Sequence, residues 1–271
     1  MTPFQAVVLA LVQAVTEFLP VSSSGHLILL PRLLGWSDQG LEFDIATNSG
    51  TLLATLLYFR RDVADLVRGV VASFRPTGGG ACRLDARTAY AILWGTVPAG
   101  LAGLAAKDWI ATVARSPLVI AGTAIVFGLL LWIADRRGRG ERELAAVGVR
   151  DGLLIGCAQA LALVPGTSRS GITITAALLL GLSRGAAARF SFLLAIPIGV
   201  LVGAKQLVDV LRGRDLGVPG EAIAIGVAVS AVAGYAVIAG LLAWLRGHRL
   251  TVFAVYRILL GLLLLAIFAR D

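Results

Sequence analysis

Long uncharged apolar runs, separated by short arginine-rich segments, set the pattern of this 271-residue chain. Residues 89–106 and 117–134 each give 18 positions without a charge, and 222–245 gives 24. A helix needs roughly 20 apolar residues to cross a 30 Å hydrocarbon core, so these three runs predict transmembrane helices. Residues 190–204 are shorter and extend through Lys205, whose stem can snorkel to the membrane surface. Residues 250–269 are long enough and carry a single arginine, Arg257. Residues 45–59 complete a sixth span with Glu42, Asp44 and Asn48 at its head. No charged stretch precedes the first apolar run, so no cleavable leader is expected.

Two further regions are apolar but broken. Residues 3–35 hold Glu17, Pro20, three serines, Gly25 and His26 in their middle, and 152–183 hold the run Pro165 to Gly171. Each reads as a short helix, a polar Pro/Gly break and a second short helix. Backbone without helical hydrogen bonds survives at membrane depth only where protein or a wet cavity covers it, so both regions predict re-entrant hairpins.

Charge then sets the direction of the spans. Residues 60–87 carry six arginines against three acids, and 135–150 carry five against three. Both segments flank the helical pair 89–106 and 117–134, so they share a side, and the excess of arginine marks it as cytoplasmic. The count places the 246–249 turn on the same side and the 205–221 loop, with Lys205, Arg212 and Arg214, on the other. The fold expected is an all-α polytopic membrane protein, a single membrane domain over 1–271. It is an inverted repeat of two halves, 1–135 and 150–271, each a re-entrant broken-helix hairpin followed by three transmembrane helices. The clearest trace of the repeat is Gln13 with Pro20-x-x-Ser23 against Gln159 with Pro165-x-x-Ser168. In such folds the two breaks meet near the midplane, where sites are built.

Composition agrees with the pattern. Hydrophobic residues make up 58% of the chain and charged residues 15%, with a mean hydropathy of +0.86, which excludes a disordered chain, a coiled coil and an ordinary soluble enzyme. The net charge of +8 would suggest nucleic acid in a soluble protein, but here the arginines sit between apolar runs, so no nucleic-acid partner is expected. Cys82 and Cys157 are too few for a disulfide framework.

The polar breaks carry the candidate chemistry. Gln13 and Glu17 stand at i and i+4 on one helical face. An intramembrane carboxylate costs on the order of 3 kcal/mol at a helix centre, so Glu17 is a functional candidate. Ser22, Ser23, Ser24, Gly25 and His26 follow Pro20, and the free N–H groups of the helix starting there suit an anion. His26 reads as a general base or nucleophile. In the second break, Arg169 has no acid within fifteen positions and is flanked by Thr167, Ser168, Ser170 and Thr173. A planar guanidinium with short hydroxyl donors makes a phosphate receptor; a long-range pair with Glu17 is the compatible structural alternative.

Gln-x-x-x-Glu followed by Phe-Leu-Pro-Val-Ser-Ser-Ser-Gly-His, and the later Pro-Gly-Thr-Ser-Arg-Ser-Gly-Ile-Thr, resemble the two signatures of the undecaprenyl-diphosphate phosphatase family, the bacitracin-resistance, UppP/BacA type. The resemblance runs the length of the chain and includes the segment from Phe190 to Pro197 and the late Tyr256-Arg257 pair. It implies hydrolysis of undecaprenyl diphosphate, which recycles the lipid carrier of peptidoglycan synthesis and confers bacitracin resistance. It also implies a bacterial inner-membrane enzyme with its active site facing the periplasm, a divalent cation (Mg2+ or Ca2+) and homodimers. Carried over by motif, the active-site positions are Gln13, Glu17, Ser22, Ser23, His26, Ser168, Arg169 and Thr173. Many members have Glu at the position of Gln13, whose neutral amide cannot supply a second carboxylate to a metal. With these roles, Arg169, Ser168 and Thr173, together with Ser22 and Ser170, hold the phosphate, and Glu17 with Gln13 holds the cation. The nucleophile is Ser23 activated by His26, His26 itself or a water. The alternative is a secondary transporter or flippase for an anionic or lipid-phosphate substrate, since broken-helix inverted repeats also serve transport.

Overall fold

A computed structural model describes residues 1–74, 80–105, 116–138, 140–213 and 217–268, with the backbone alone for 80–85. The cysteine at 82, Lys107, Arg75, Arg139, Arg214 and the span ends at 106 and 269 therefore fall outside the side chains described. Among the described residues eleven α-helices follow one another: α1 (Pro3–Phe18), α2 (Ser23–Leu34), α3 (Leu41–Tyr58), α4 (Arg60–Ser73), α5 (Gly80–Ala105), α6 (Pro117–Arg137), α7 (Val149–Ala160), α8 (Arg169–Leu179), α9 (Arg184–Leu211), α10 (Gly220–Trp244) and α11 (Thr251–Phe268). Among the described residues five helices are long and apolar enough to cross a membrane: 86–105 of α5, then α6, α9, α10 and α11. The sixth expected span, α3, is an 18-residue helix that also takes in Leu41 to Asp44. It carries Glu42, Asp44, Asn48 and buried Thr47, Thr51 and Thr55, polar groups that lower its hydropathy.

The arginine-rich segment 60–87 is not the plain loop that its charge suggests. Its first half is α4, in which Val63, Leu66, Val67, Val70 and Val71 form one apolar stripe at helical spacing. That stripe faces Ala89, Ile92 and Leu93 of α5 and Leu193, Ile196 and Pro197 of α9. High charge on one face and valine on the other make an interfacial helix, and a reading by net charge misses it.

The arginine-rich segments gather at one end of the bundle, as the loop charges require. Arg189 pairs with Asp62, Arg184 with Asp135, and Arg142 with Asp151, while Thr251 donates to Asp135 at 3.1 Å. Arg142 also bonds the carbonyl of Leu180 at 2.8 Å, so the start of α7 and the end of α8 both lie at this end. Asp151 loses solvation there, yet hydrogen bonds from Arg142 and the Gly148 amide outweigh the burial and hold its carboxyl below the ordinary aspartate value. The other end holds the start of α1 and the end of α2, where Phe4 packs edge-on against Trp36 and the cluster of Ala6, Leu9, Leu27 and Phe43 reaches Ala222. Gln206 joins that end by bonding the Glu42 carbonyl at 2.8 Å. The α1–α2 and α7–α8 hairpins thus enter from opposite ends.

Each hairpin is buried against a long helix from the other half of the chain: α1 packs on α10 and α7 on α5. The second contact depends on Gly152 and Gly156, a small-xxx-small pair whose missing side chains let the backbones meet. A Cβ on Gly156 would collide with the carbonyl of Gly95, and one on Gly152 with that of Ala91. Gly156→Ala should therefore push α7 away from α5 and cost about 1–3 kcal/mol of stability, the usual scale of overpacking. A lowered melting temperature in detergent checks this; an unchanged one would show that the helices separate freely.

Candidate active site

The site is built where the hairpin tips touch. α1 ends at Phe18 and α2 starts at Ser23, while α7 ends at Ala160, a 3-10 turn covers Leu161–Leu163 and α8 starts at Arg169. Ser22 and Ser168 cap α2 and α8 in the same unusual way. Both have positive φ, 78° and 69°, and both accept a hydrogen bond from the amide three residues on, Gly25 and Gly171. Non-glycine residues in this region are strained by about 1 kcal/mol or more and persist where surrounding contacts fix them. One 146-residue offset relates Ser22 to Ser168, Gly25 to Gly171 and Gln13 to Gln159. The correspondence therefore runs through Ser22, not Ser23 as the proline spacing suggests.

Glu17 is the centre of the network. Its Oε1 accepts from Arg169 at 2.9 Å, and its Oε2 from Ser23 Oγ at 2.7 Å and Gln13 Nε2 at 3.2 Å. Gln13 Nε2 donates also to Asn48 Oδ1 at 2.9 Å. Arg169 reaches the Ser191 carbonyl at 3.3 Å with its other terminal nitrogen. Ser170 Oγ donates to the Leu19 carbonyl at 3.2 Å, a second tie between the tips. The ion pair joins residues from opposite ends of the bundle at a half-shielded position, with 24% of the Arg169 side chain and 13% of that of Glu17 exposed.

A cavity of about 300 Å3 opens above this network, lined by Glu17, Ser23, Ser24, Asn48, Gln159, Ser168 and Arg169 among others. Its walls run from Thr55 and Ala195 toward Ile45 and Gly203, the end away from the arginine clusters. Ser22, Ser170 and Thr173 do not line it. All three are buried: Ser22 caps α2, Ser170 bonds Leu19, and Thr173 shares a 2.7 Å hydrogen bond with Ser191 and donates to the Arg169 carbonyl at 2.8 Å. They hold the loops rather than face the cavity.

His26 also lies off the cavity lining. One ring nitrogen, Nδ1, is 2.7 Å from the Ser22 carbonyl, and Nε2 is 2.6 Å from the Tyr256 hydroxyl, whose ring stacks on the imidazole. The partner of Ser23 is thus Glu17 and not His26, a pairing set by the turn between the end of α1 at Phe18 and the start of α2 at Ser23, which no local pattern records. Asn48, Ser191 and Tyr256 complete the network. In the sequence Asn48 stands out only as part of a polar run at the head of a span, and Ser191 as a lone hydroxyl between Phe190 and Phe192. Arg257 is fully buried in α11 and donates to the carbonyls of Gly166 and Thr167 at 2.9 and 2.7 Å, fixing the second break from behind. Thr123 of α6 adds a 2.8 Å bond to the Pro165 carbonyl.

Five helices apolar enough to span among the described residues, and a polar site at two crossed breaks, define an all-α polytopic membrane protein. Residues 6–263 match the family model described as bacitracin resistance protein BacA, and the chain belongs to that family. It is 52% identical over 264 residues to the undecaprenyl-diphosphatase of Magnetococcus marinus, covering 97% of this chain and 98% of that one. It is 51% identical over 270 residues to undecaprenyl-diphosphatase 2 of Stutzerimonas stutzeri, and 46% identical over 266 residues to the undecaprenyl-diphosphatase of Alteromonas mediterranea, each time over 98% of both chains.

Proposed function

We propose that the protein hydrolyses undecaprenyl diphosphate to undecaprenyl phosphate and inorganic phosphate, and so serves carrier recycling and bacitracin resistance. The observation that carries this reading is the meeting of Arg169, Glu17 and Ser23 at the floor of one cavity in a chain of this family. Purified protein in detergent should release phosphate from undecaprenyl diphosphate. A protein that only transports an anion or flips lipid phosphate would bind the substrate and release none.

Arg169, with Ser168 beside it, binds the terminal phosphate. Its two terminal nitrogens already point to two different oxygens, so it can exchange them for phosphoryl oxygens as charge develops there. The N-termini of α2 and α8 converge on the same space and add the positive ends of their dipoles. Glu17 receives the Ser23 hydroxyl proton in its hydrogen bond, the geometry of a general base acting on a nucleophile. His26, held between Ser22 and Tyr256, fixes the first turn of α2 and thereby the position of Ser23.

A divalent cation, Mg2+ or Ca2+, fits the donors present. Glu17, Gln13 and Asn48 offer hard oxygens, and Gln13 Oε1 is buried without a hydrogen-bond partner. Only one of the three is a carboxylate, so phosphate oxygens would complete the shell. When bound, the cation supplies neutralisation of charge on the diphosphate.

The paired hairpins and the crosswise packing of α1 on α10 and α7 on α5 support an inverted repeat of 1–135 and 150–271 within one membrane domain. The site then faces the periplasm of an inner-membrane protein, since the cavity rises away from the arginine-rich end, and homodimers follow the family pattern. Single cysteines replacing Arg68 and Arg246, in a background lacking Cys82 and Cys157, should resist an impermeant thiol reagent applied outside, while one replacing Asp38 should react. Outside labelling at Arg68 reverses the orientation.

A further inference from the structure

Gln159 stands in the last turn of α7, one turn before the second break, as Gln13 stands one turn before Glu17. It is 3% exposed and lines the cavity beside Ser168 and Arg169. Neither its Nε2 nor its Oε1 has a hydrogen-bond partner among the described residues. Buried amides are ordinarily satisfied, and one left with both ends free is costly to keep. Gln13 is half satisfied, with its NH2 group shared between Glu17 and Asn48 and its Oε1 alone left without a partner. At the 146-residue offset the counterpart of Glu17 is Leu163, which cannot accept a hydrogen bond. The repeat has therefore kept the polar side chain and lost its protein partner, at a position that opens into the substrate cavity.

We propose that Gln159 is a substrate-contacting residue whose missing partners arrive with the diphosphate. An ionised diphosphate presents only acceptors, so Nε2 donates to one of its terminal oxygens next to Arg169. Oε1 then needs a proton-bearing partner, and a water ordered against the same phosphoryl group supplies it. A neutral amide suits this place better than a second cation would: it adds a donor without competing with Arg169 for Glu17, and its two ends can donate and accept at once. This assignment rests on the diphosphate reading of the cavity.

The test compares wild type, Gln159→Met and Gln159→Glu in detergent. Methionine keeps the length and removes both polar atoms, so its melting temperature should equal or exceed that of wild type. Its kcat on undecaprenyl diphosphate should fall about 10²-fold, the loss seen when one donor to a developing oxyanion is removed. Gln159→Glu keeps an acceptor and sets a negative charge against the phosphate, so KM should rise as well. Inorganic pyrophosphate should raise the melting temperature of wild type more than that of Gln159→Met. Turnover of Gln159→Met within twofold of wild type, equal pyrophosphate shifts, or a fall in melting temperature that accounts for the lost activity would overturn the assignment and leave Gln159 a packing residue. If wild type itself releases no phosphate, the hydrolase reading fails, and the pyrophosphate shift still decides whether Gln159 meets a phosphate.

Discussion

Arg169→Lys should lose two or more decades in turnover, almost as much as Arg169→Ala, with the protein still folded in detergent. The reason is geometric. Arg169 spans two acceptors on different helices, Glu17 Oε1 at 2.9 Å and the Ser191 carbonyl at 3.3 Å, with two nitrogens of one rigid plane. Lysine keeps the charge but presents a single point donor, so it cannot hold one contact while the other follows the phosphoryl oxygens. Arginines that stabilise transferring phosphoryl groups are worth about 10³–10⁵ in rate in well-studied enzymes. The 2.9 Å pair with Glu17 makes the rival view concrete, because a purely structural counter-ion is also expected at that distance. On that view Arg169→Lys is nearly silent, while Arg169→Ala lowers the melting temperature by leaving a shielded carboxylate unpaired. Turnover and melting temperature on both variants separate the two. A fully active Arg169→Lys removes the residue from the catalytic machinery.

Glu17→Gln should reduce phosphate release to background, and excess Mg2+ should restore little of it. Glu17 accepts from Arg169, Ser23 and Gln13 together, and among the described residues no other carboxylate lines the cavity. The amide keeps one acceptor but turns the other into a donor, which must face Arg169 or the Ser23 hydroxyl. Either way the Ser23 proton loses its base, and the site loses its only negative charge. Part of the change falls on stability, since Arg169 is left half-shielded without its partner, so the comparison is made at a temperature where circular dichroism shows the variant folded. Gln13→Glu is the matched control. It adds a carboxylate one helical turn before Glu17 and should keep activity or alter its metal dependence. If Glu17→Gln retains most of its turnover, Glu17 serves only to anchor Arg169.

Most of the architecture was legible before any coordinates. Hydropathy and arginine placement determine four spans within about three residues and the core of a fifth, α9, which runs six or seven residues further at each end than its uncharged stretch, because a membrane leaves the backbone no alternative to a helix and charge no alternative to the ends. The same logic marks both broken hairpins, since Glu17 and Arg169 are too costly in hydrocarbon unless something covers them. It fails where polarity has a local use. α3 is less apolar than the other spans because Asn48, Thr51 and Thr55 face the cavity, and α4 is a helix despite its charge because its valines find α5 and α9. The sequence by itself thus determined which residues are too polar for lipid and so must meet one another. Only the tertiary structure decided the pairing: that Ser23 bonds Glu17 and His26 bonds Tyr256, that Ser170 and Thr173 turn inward, and that Gln159 faces the cavity with nothing to hold. Partners such as Glu17 and Arg169 lie 152 residues apart in the chain, and their contact depends on how deeply two opposed hairpins insert, a distance set by glycine contacts and helix packing that no local pattern records.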